Sequence, residues 1–245
     1  MDEDRVVKLI DKLQYFDYDK ILNKIRKTVQ KPSVLVTGGT GVGKSSLINR
    51  LFGMDAAPTG SGRSVTEHIA RYGPEHSDVI LYDTRGYETG EEKQDKFYKE
   101  VIGFVKEANQ QSDVTKHVHL TWYCISAANK RVVPADLTAV AALSGLTKVC
   151  IVLTQIDSAT VVELDEMKAA LAEKLPETKV FAVSLDPRIP EEMVQWEALI
   201  EWSVDQLDSG LQLAFAQALG QELRIKHLQA DQLIHRYVVA AGGAV

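Results

Sequence analysis

Cysteine is scarce in this chain: 245 residues contain two, Cys124 and Cys150. Both lie in apolar, strand-like runs, LTWYCI and KVCIVL, so buried thiols are expected rather than disulfides or a metal site. No segment reaches the ~20 apolar residues of a membrane-spanning helix. No secretory leader opens the sequence, because MDEDRVVKLI is charged from its second residue; a cytoplasmic location is the expectation. Basic charge is not in excess either. Lys and Arg total 28 against 34 Asp and Glu, a formal net charge of −6. That balance argues against nucleic acid as a ligand of the whole surface and against adhesion to anionic membrane. The densest basic stretch, Lys24, Arg26, Lys27 and Lys31, has Asp17 and Asp19 beside it. Internal repeats and low-complexity tracts are absent.

What is present is an ordinary globular composition, 45% apolar and 25% charged. The length suits one large domain, alone or with helical additions. Residues 1–30 read as an amphipathic helical segment, with Ile21, Leu22, Ile25 and Val29 at helical spacing and Pro32 beyond it. Strands and helices then alternate. SVLVT, EHIARY, DVILYDT, HVHLTWYCI, KVCIVLT and KVFAVS read as strands. EEKQDKFYKEVIGFVKEA, PADLTAVAAL, VVELDEMKAALAEKL and EEMVQWEALIEWSVDQL read as helices. Near-continuous apolar strands between helices mean a mostly parallel six-stranded sheet covered on both faces, a three-layer α/β/α domain over 31–208. From 209 to 245 the chain reads as a helical extension, with Leu211, Phe215, Leu219 and Leu223 on one face. Its apolar ending, LIHRYVVAAGGAV, suggests a shortened form of a longer protein.

The chemistry starts at VTGGTGVGKSSL. Gly38 to Ser45 fits G-x-x-x-x-G-K-[ST] between a strand and a helix, the context a P-loop requires. Gly39, Thr40, Gly41, Val42 and Gly43 would turn their backbone N–H groups onto phosphate, helped by the helix N-terminus. Lys44 would reach the β- and γ-phosphates, Ser45 would ligate Mg²⁺, and Ser46 would donate to the α-phosphate. The competing reading is a Gly-rich turn whose positive φ alone calls for glycine. Asp83 and Gly86 of LYDTRG end the third predicted strand. A carboxylate there can hold Mg²⁺ through water, and the glycine N–H can meet the γ-phosphate. In VLTQIDSA, Thr154 and Gln155 lead to Asp157, placed to accept from the N1–H and N2–H of guanine; adenine offers no such pair. The alternative for Asp157 is a helix-capping carboxylate. Ser184, at the end of the last strand, would meet the guanine carbonyl.

With GGTGVGKS, DTRG, TQID and AVS in order, the chain resembles the translation-factor-related P-loop GTPases, most closely the Era-like group. The resemblance covers about residues 30–208. It implies a Mg²⁺-dependent molecular switch that binds GTP and GDP and hydrolyses GTP slowly. It also places the Mg²⁺-sensing threonine in SGRSVTEHI, with Thr66 the choice and Ser64 and Thr59 behind it. More loosely, the apolar tail is similar to bacterial relatives in which a hydrophobic helical region follows the GTPase domain.

Two positions depart from the family pattern. Gln155 stands where a lysine normally packs along the base and supports the P-loop. Tyr87 stands where Ras-like proteins carry a water-orienting glutamine. Arg85 and Arg63 are candidates to bring charge to the γ-phosphate; the plainer alternative is a solvated loop side chain. Gly41 replaces the asparagine of potassium-dependent relatives, so potassium activation is not expected. His117 and His119 would share one side of a strand start, without a third metal ligand. Trp122, Tyr123, Trp196 and Trp202 read as packing residues. A second functional class stays open beside the switch, a GTP-dependent assembly module in which hydrolysis is incidental. An activating protein or a second copy of the chain would be the partner. The terminal helices would either transmit the nucleotide state or, through the tail, contact a membrane.

Overall fold

The computed structural model describes residues 31–53, 63–64, 69–72, 79–84 and 91–219. The expected terminal segments 1–30 and 220–245 lie outside the described residues, as do Thr59, Thr66, Arg85, Gly86 and Tyr87. Strand β1 (Ser33–Gly38) leads into helix α1 (Lys44–Phe52). Strands β2 (Arg63–Ser64), β3 (Ile69–Tyr72) and β4 (Ile80–Thr84) follow. Helix α2 (Glu91–Asn109), β5 (Leu120–Ser126) and α3 (Pro134–Ser144) form the middle of the chain. Then come β6 (Lys148–Thr154), α4 (Val161–Lys174), β7 (Lys179–Ala182), α5 (Trp196–Asp205) and α6 (Ser209–Ala218).

The sheet order is β2-β3-β4-β1-β5-β6-β7. β2/β3 and β3/β4 pair antiparallel, and every other pair is parallel. All six expected strands form, and the two-residue β2 adds a seventh at the edge. β1 lies between β4 and β5 and is buried along its whole length. Alternation along it feeds two cores: Val34 and Val36 join one, Leu35 the other. The first core takes Leu47, Ile48 and Leu51 of α1, Leu199, Ile200 and Val204 of α5, and Leu211 and Phe215 of α6. The second takes Phe97 and Val101 of α2, Val140 and Leu143 of α3, and Leu164 and Met167 of α4. Helices on both faces make the three-layer α/β/α architecture that continuous apolar strands require.

The first core centres on aromatic rings. Phe52 stacks on Trp122 at 5.9 Å, and Phe215 stands edge-on to both. Each fully buried ring of this kind stabilises the domain by roughly 1.5–3 kcal/mol. The Trp122 indole N–H donates to Ser203 Oγ at 3.1 Å, so its polar end is satisfied. Through Leu211, Phe215 and Leu219, the part of the expected extension up to residue 219 packs into this same core.

Two local expectations change. The helix expected over 191–207 is broken: Glu191–Met193 forms one 3₁₀ turn, and α5 starts at Trp196. Gln195 causes the break, because its N–H donates to the Ala182 carbonyl and its Oε1 accepts from the Ala182 N–H. That pairing ties Gln195 to the last residue of β7 and stops the first turn from propagating. His117 and His119 do not begin a strand, since β5 starts at Leu120. His117 ends a 3₁₀ turn and binds the Gln111 carbonyl through Nε2, while His119 Nδ1 accepts the Ser33 N–H at 3.1 Å. Cys124 and Cys150 are buried free thiols, and burial pushes Cys124 up to about 12. Among the described residues no helix is long and apolar enough to cross a membrane, and no cluster of three His, Cys, Asp or Glu side chains could hold a metal.

Candidate functional site

The glycine-rich loop joins β1 to α1 at the carboxyl edge of the sheet. Gly38, Gly41 and Gly43 all take positive φ, at 137°, 75° and 90°. A Cβ on Gly38 would collide with the Cys124 carbonyl of β5, so at this position glycine is required twice over. The loop wraps the side chain of Lys44. Its Nζ donates to the Gly39 carbonyl at 2.8 Å and to the Gly38 carbonyl at 3.4 Å. Lys44 is only 6% exposed. Burial pushes its ammonium below its ordinary value, and the Cys124 thiol and the Asp83 carboxylate oppose that shift. A cation held this way is a ready partner for an anion brought into the loop.

Asp83 reaches the same place from β4. Its backbone pairs in register with Val36, one strand over and two residues before the loop. Its Oδ2 accepts from Ser45 Oγ at 3.1 Å. Its Oδ1 is buried and has no hydrogen-bond partner among the described residues. Burial raises the Asp83 carboxyl above the usual range; the Lys44 charge, the Ser45 hydroxyl and the Thr84 N–H act the other way. Next to it Thr84 Oγ1 donates to Thr37 Oγ1 at 3.3 Å, tying the end of β4 to the end of β1.

The third strand end holds the loop from outside. Thr154 Oγ1 donates to the Val42 carbonyl at 2.5 Å. Gln155, in left-handed backbone at φ 54°, donates from Nε2 to the Gly41 carbonyl at 3.3 Å and accepts at Oε1 from Ser126 Oγ. Asp157 follows on a 3₁₀ turn. One of its oxygens accepts from Ser184 Oγ and the other from Ser158 Oγ, the latter at 3.2 Å. A reciprocal Thr160–Glu163 capping box then starts α4 and fixes where that turn ends. Between these groups opens a cleft of about 200 Å³. Gly43, Ser46, Gln155, Asp157, Ser184 and Leu185 are among its lining residues.

A family described as 50S ribosome-binding GTPase matches residues 33–155, half of the chain. The chain belongs to this GTPase family. Neuronal-specific septin-3 of Mus musculus is 22% identical over 260 residues, covering 91% of this chain and 73% of that protein. Septin-2 of Rattus norvegicus is 24% identical over 193 residues, covering 68% of this chain and 53% of that protein. Among solved structures, a probable GTP-binding protein engB superimposes with a TM-score of 0.53 at 20% identity. It covers 71% of this chain and 97% of that one, a likeness of fold.

For a GTPase the residues present fit Mg²⁺. Ser45 Oγ and Asp83 Oδ1 are hard oxygen donors, the class this ion takes, and a divalent cation would satisfy the buried Oδ1 that has no partner among the described residues. The site thus brings together Gly39 to Ser46, Asp83, Thr154, Gln155, Asp157 and Ser184 as the sequence suggests. Ser64 and Arg63 lie in β2, paired through their backbones with Ala70 and Arg71. Sequence reasoning missed Ser126, Leu185 and Asp186, and it read Trp196 as packing alone; Trp196 also lines the cleft. The signal for Ser126 was its place at the end of an apolar strand, the same place that marked Asp83 and Thr154. Arg188 lies beyond the cleft rim and forks onto the Asp186 carboxylate, whose pKa it lowers to about 2.

Proposed function

We propose that this domain binds GTP and GDP with Mg²⁺ and hydrolyses GTP to GDP and phosphate as a slow molecular switch of the Era-like group. The observation that carries the reading is the pairing of a buried Lys44 with an orphaned Asp83 oxygen at one end of the loop, and Asp157 in a cleft at the other. Lys44 would leave the Gly38 and Gly39 carbonyls for the β- and γ-phosphate oxygens. Gly41 to Gly43 would present backbone N–H groups to the same oxygens. Ser45 and Asp83 would hold Mg²⁺ together with Thr66, and the bound ion supplies neutralising charge between the β- and γ-phosphates. Asp157 would take the two guanine N–H groups, with Ser184 keeping its carboxylate aimed.

In the reaction water attacks the γ-phosphorus, the bond to the β–γ bridging oxygen breaks, and GDP leaves. Lys44 carries charge that develops on the bridging and γ-oxygens, and the Gly86 N–H would donate to the γ-phosphate. Nothing at the position of Tyr87 offers the amide that orients water in Ras-like proteins, and Arg85 is the candidate to add charge. An unassisted rate of ~10⁻⁴ to 10⁻² s⁻¹ follows, and a partner that completes the site would raise it ~10³- to 10⁵-fold.

A second reading, GTP-dependent assembly, is favoured by one feature. Val161, Val162 and Leu185 are exposed large apolar side chains, and all three sit on the segments that follow Asp157 and Ser184. A GTP-dependent rise in mass with turnover that climbs with protein concentration would support it. The test of the main reading is fluorescent GDP binding competed by GDP, GTP, ADP and ATP, on the wild type and on Asp157→Ala. Guanine-only competition that the variant loses supports it; equal competition by adenine nucleotides removes it.

A further inference from the structure

The amino edge of the sheet carries a second cleft, of about 440 Å³. It opens beside the starts of β5 and β6, at the end of these parallel strands opposite to the phosphate loop. Its volume lies in the ~300–1,000 Å³ range of small-molecule sites, towards the small end. None of the residues placed on nucleotide or Mg²⁺ lines it.

Side-chain hydrogen bonds tie its frame together. Asn109, the last residue of α2, accepts the Val118 N–H at 2.7 Å through Oδ1 and donates to the Leu146 carbonyl at 2.7 Å through Nδ2. Thr147 Oγ1 lies 3.0 Å from the His119 carbonyl and 3.1 Å from that of Val118. The segments before β5 and β6 are thus locked to each other and to α2, so the cleft is pre-formed. Ser33, at the start of β1, sets the His119 ring, because its N–H donates to Nδ1 at 3.1 Å. A backbone N–H can only donate, so Nδ1 carries no proton and the ring presents Nε2–H as a donor. Burial first, and then His117, push His119 below its ordinary pKa; the Asp208 carboxylate acts the other way.

Two opposite charges line the same cleft. Lys148 opens β6 and Asp208 immediately precedes α6; both are exposed. Among the described residues neither side chain makes an ion pair or a hydrogen bond, and Asp208, although it is the N-cap residue of α6, caps nothing with its carboxylate. The buried side chains of Val118, Leu207 and Leu211 add an apolar wall. One ammonium, one carboxylate, a neutral N–H donor and an apolar wall make a site of no net charge. A simple anion would meet Asp208 there, and a simple cation would meet Lys148. A small zwitterion with an apolar substituent satisfies both.

We infer that this cleft binds a free α-amino acid with an apolar side chain: its carboxylate on Lys148 and the His119 Nε2–H, its ammonium on Asp208, and its side chain against Val118, Leu207 and Leu211. The cleft shares no residue with the nucleotide site, so the inference stands or falls apart from the nucleotide reading.

The experiment titrates the full chain with L-leucine, with isocaproate, which lacks the ammonium, and with isoamylamine, which lacks the carboxylate. Amide NMR shifts of residues 144–148 and 206–211 report binding. L-leucine should shift them saturably with a Kd of about 1 mM or tighter, and each analogue should bind at least about tenfold more weakly. Lys148→Met and Asp208→Asn should each weaken L-leucine about tenfold. Both side chains are exposed and caps or pairs are not lost with them, so the ligand-free variants should melt as wild type does. No saturable shift with L-leucine up to about 10 mM, shifts only elsewhere in the chain, or analogues that bind as tightly as L-leucine would overturn the inference. So would wild-type affinity for L-leucine in both variants.

Discussion

Gly38 and Cys124 face each other in register across β1 and β5, so closely that a Cβ on the glycine would lie 2.2 Å from the cysteine carbonyl oxygen. The contact brings the last residue of β1 close enough to β5 for the phosphate loop to start in the plane of the sheet. Gly38→Ala would force both a side chain into left-handed backbone and a Cβ into a backbone oxygen. A carbonyl in a parallel ladder cannot swing aside as a side-chain tip can. The variant should lose at least about 2 kcal/mol of stability and most of its nucleotide affinity. Urea denaturation and fluorescent GDP titration check both, and a wild-type midpoint would refute the argument.

Asp83 illustrates a group kept at a cost to stability. Burial raises its carboxyl above the ordinary 3.8. Between 3.8 and that raised value, the folded domain keeps a proton that the unfolded chain has released. Stability from this group is therefore greatest below 3.8 and falls as pH rises through the window. Asp83→Asn removes the penalty. In EDTA without nucleotide, the variant should melt above wild type at pH 7, and the gap should close as pH drops below 3.8. With GTP present the same variant should lose its response to Mg²⁺. Melting curves across pH, with and without metal, separate the two effects; a variant that melts lower at pH 7 contradicts the assignment.

Asp157 accepts from Ser184 and Ser158 rather than capping a helix, because Thr160 already caps α4. Its carboxylate is therefore available to a base in the cleft. Asp157→Ala should weaken GDP by about two orders of magnitude or more, since two hydrogen bonds to a charged acceptor are lost together. ADP should be unaffected. Isothermal titration with both nucleotides checks this, and equal losses for GDP and ADP would make the residue structural.

The phosphate loop was legible because its demands are local: the glycines at 38, 41 and 43 take the positive φ that the motif implies. Asp83, Thr154 and Ser184 were legible because apolar runs mark where strands end, and in a parallel sheet those ends share one edge. Ser126 was not. It meets Gln155 only because β5 and β6 pair with Ser126 opposite Thr154, a register that no spacing in the sequence reveals. The break before α5 was hidden for the same reason. Gln195 is a good helix former, and only its pairing with Ala182 takes it out of the helix. Leu185 looked like one more apolar residue at a strand end until the cleft beside it was in view.

Tyr123 and Asp136 form a buried polar contact that the sequence did not announce. The Tyr123 hydroxyl donates to Asp136 Oδ1 at 2.8 Å, and Tyr98 of α2 lies 3.0 Å from the Tyr123 hydroxyl. Three elements, α2, β5 and α3, thus meet on one carboxylate that is 5% exposed. Tyr123→Phe keeps the ring and its packing but takes a donor from Asp136, and a buried acceptor that loses a partner costs about 1–3 kcal/mol. Tyr98→Phe should cost less, because that side chain is only half-buried and its reach to Asp136 is the longer one, 3.5 Å. The contact lies on the face of the sheet opposite α1, so GDP affinity should stay near wild type for both variants while the urea midpoint falls. A Tyr123→Phe midpoint within about 0.5 kcal/mol of wild type would show that Asp136 does not depend on this hydroxyl.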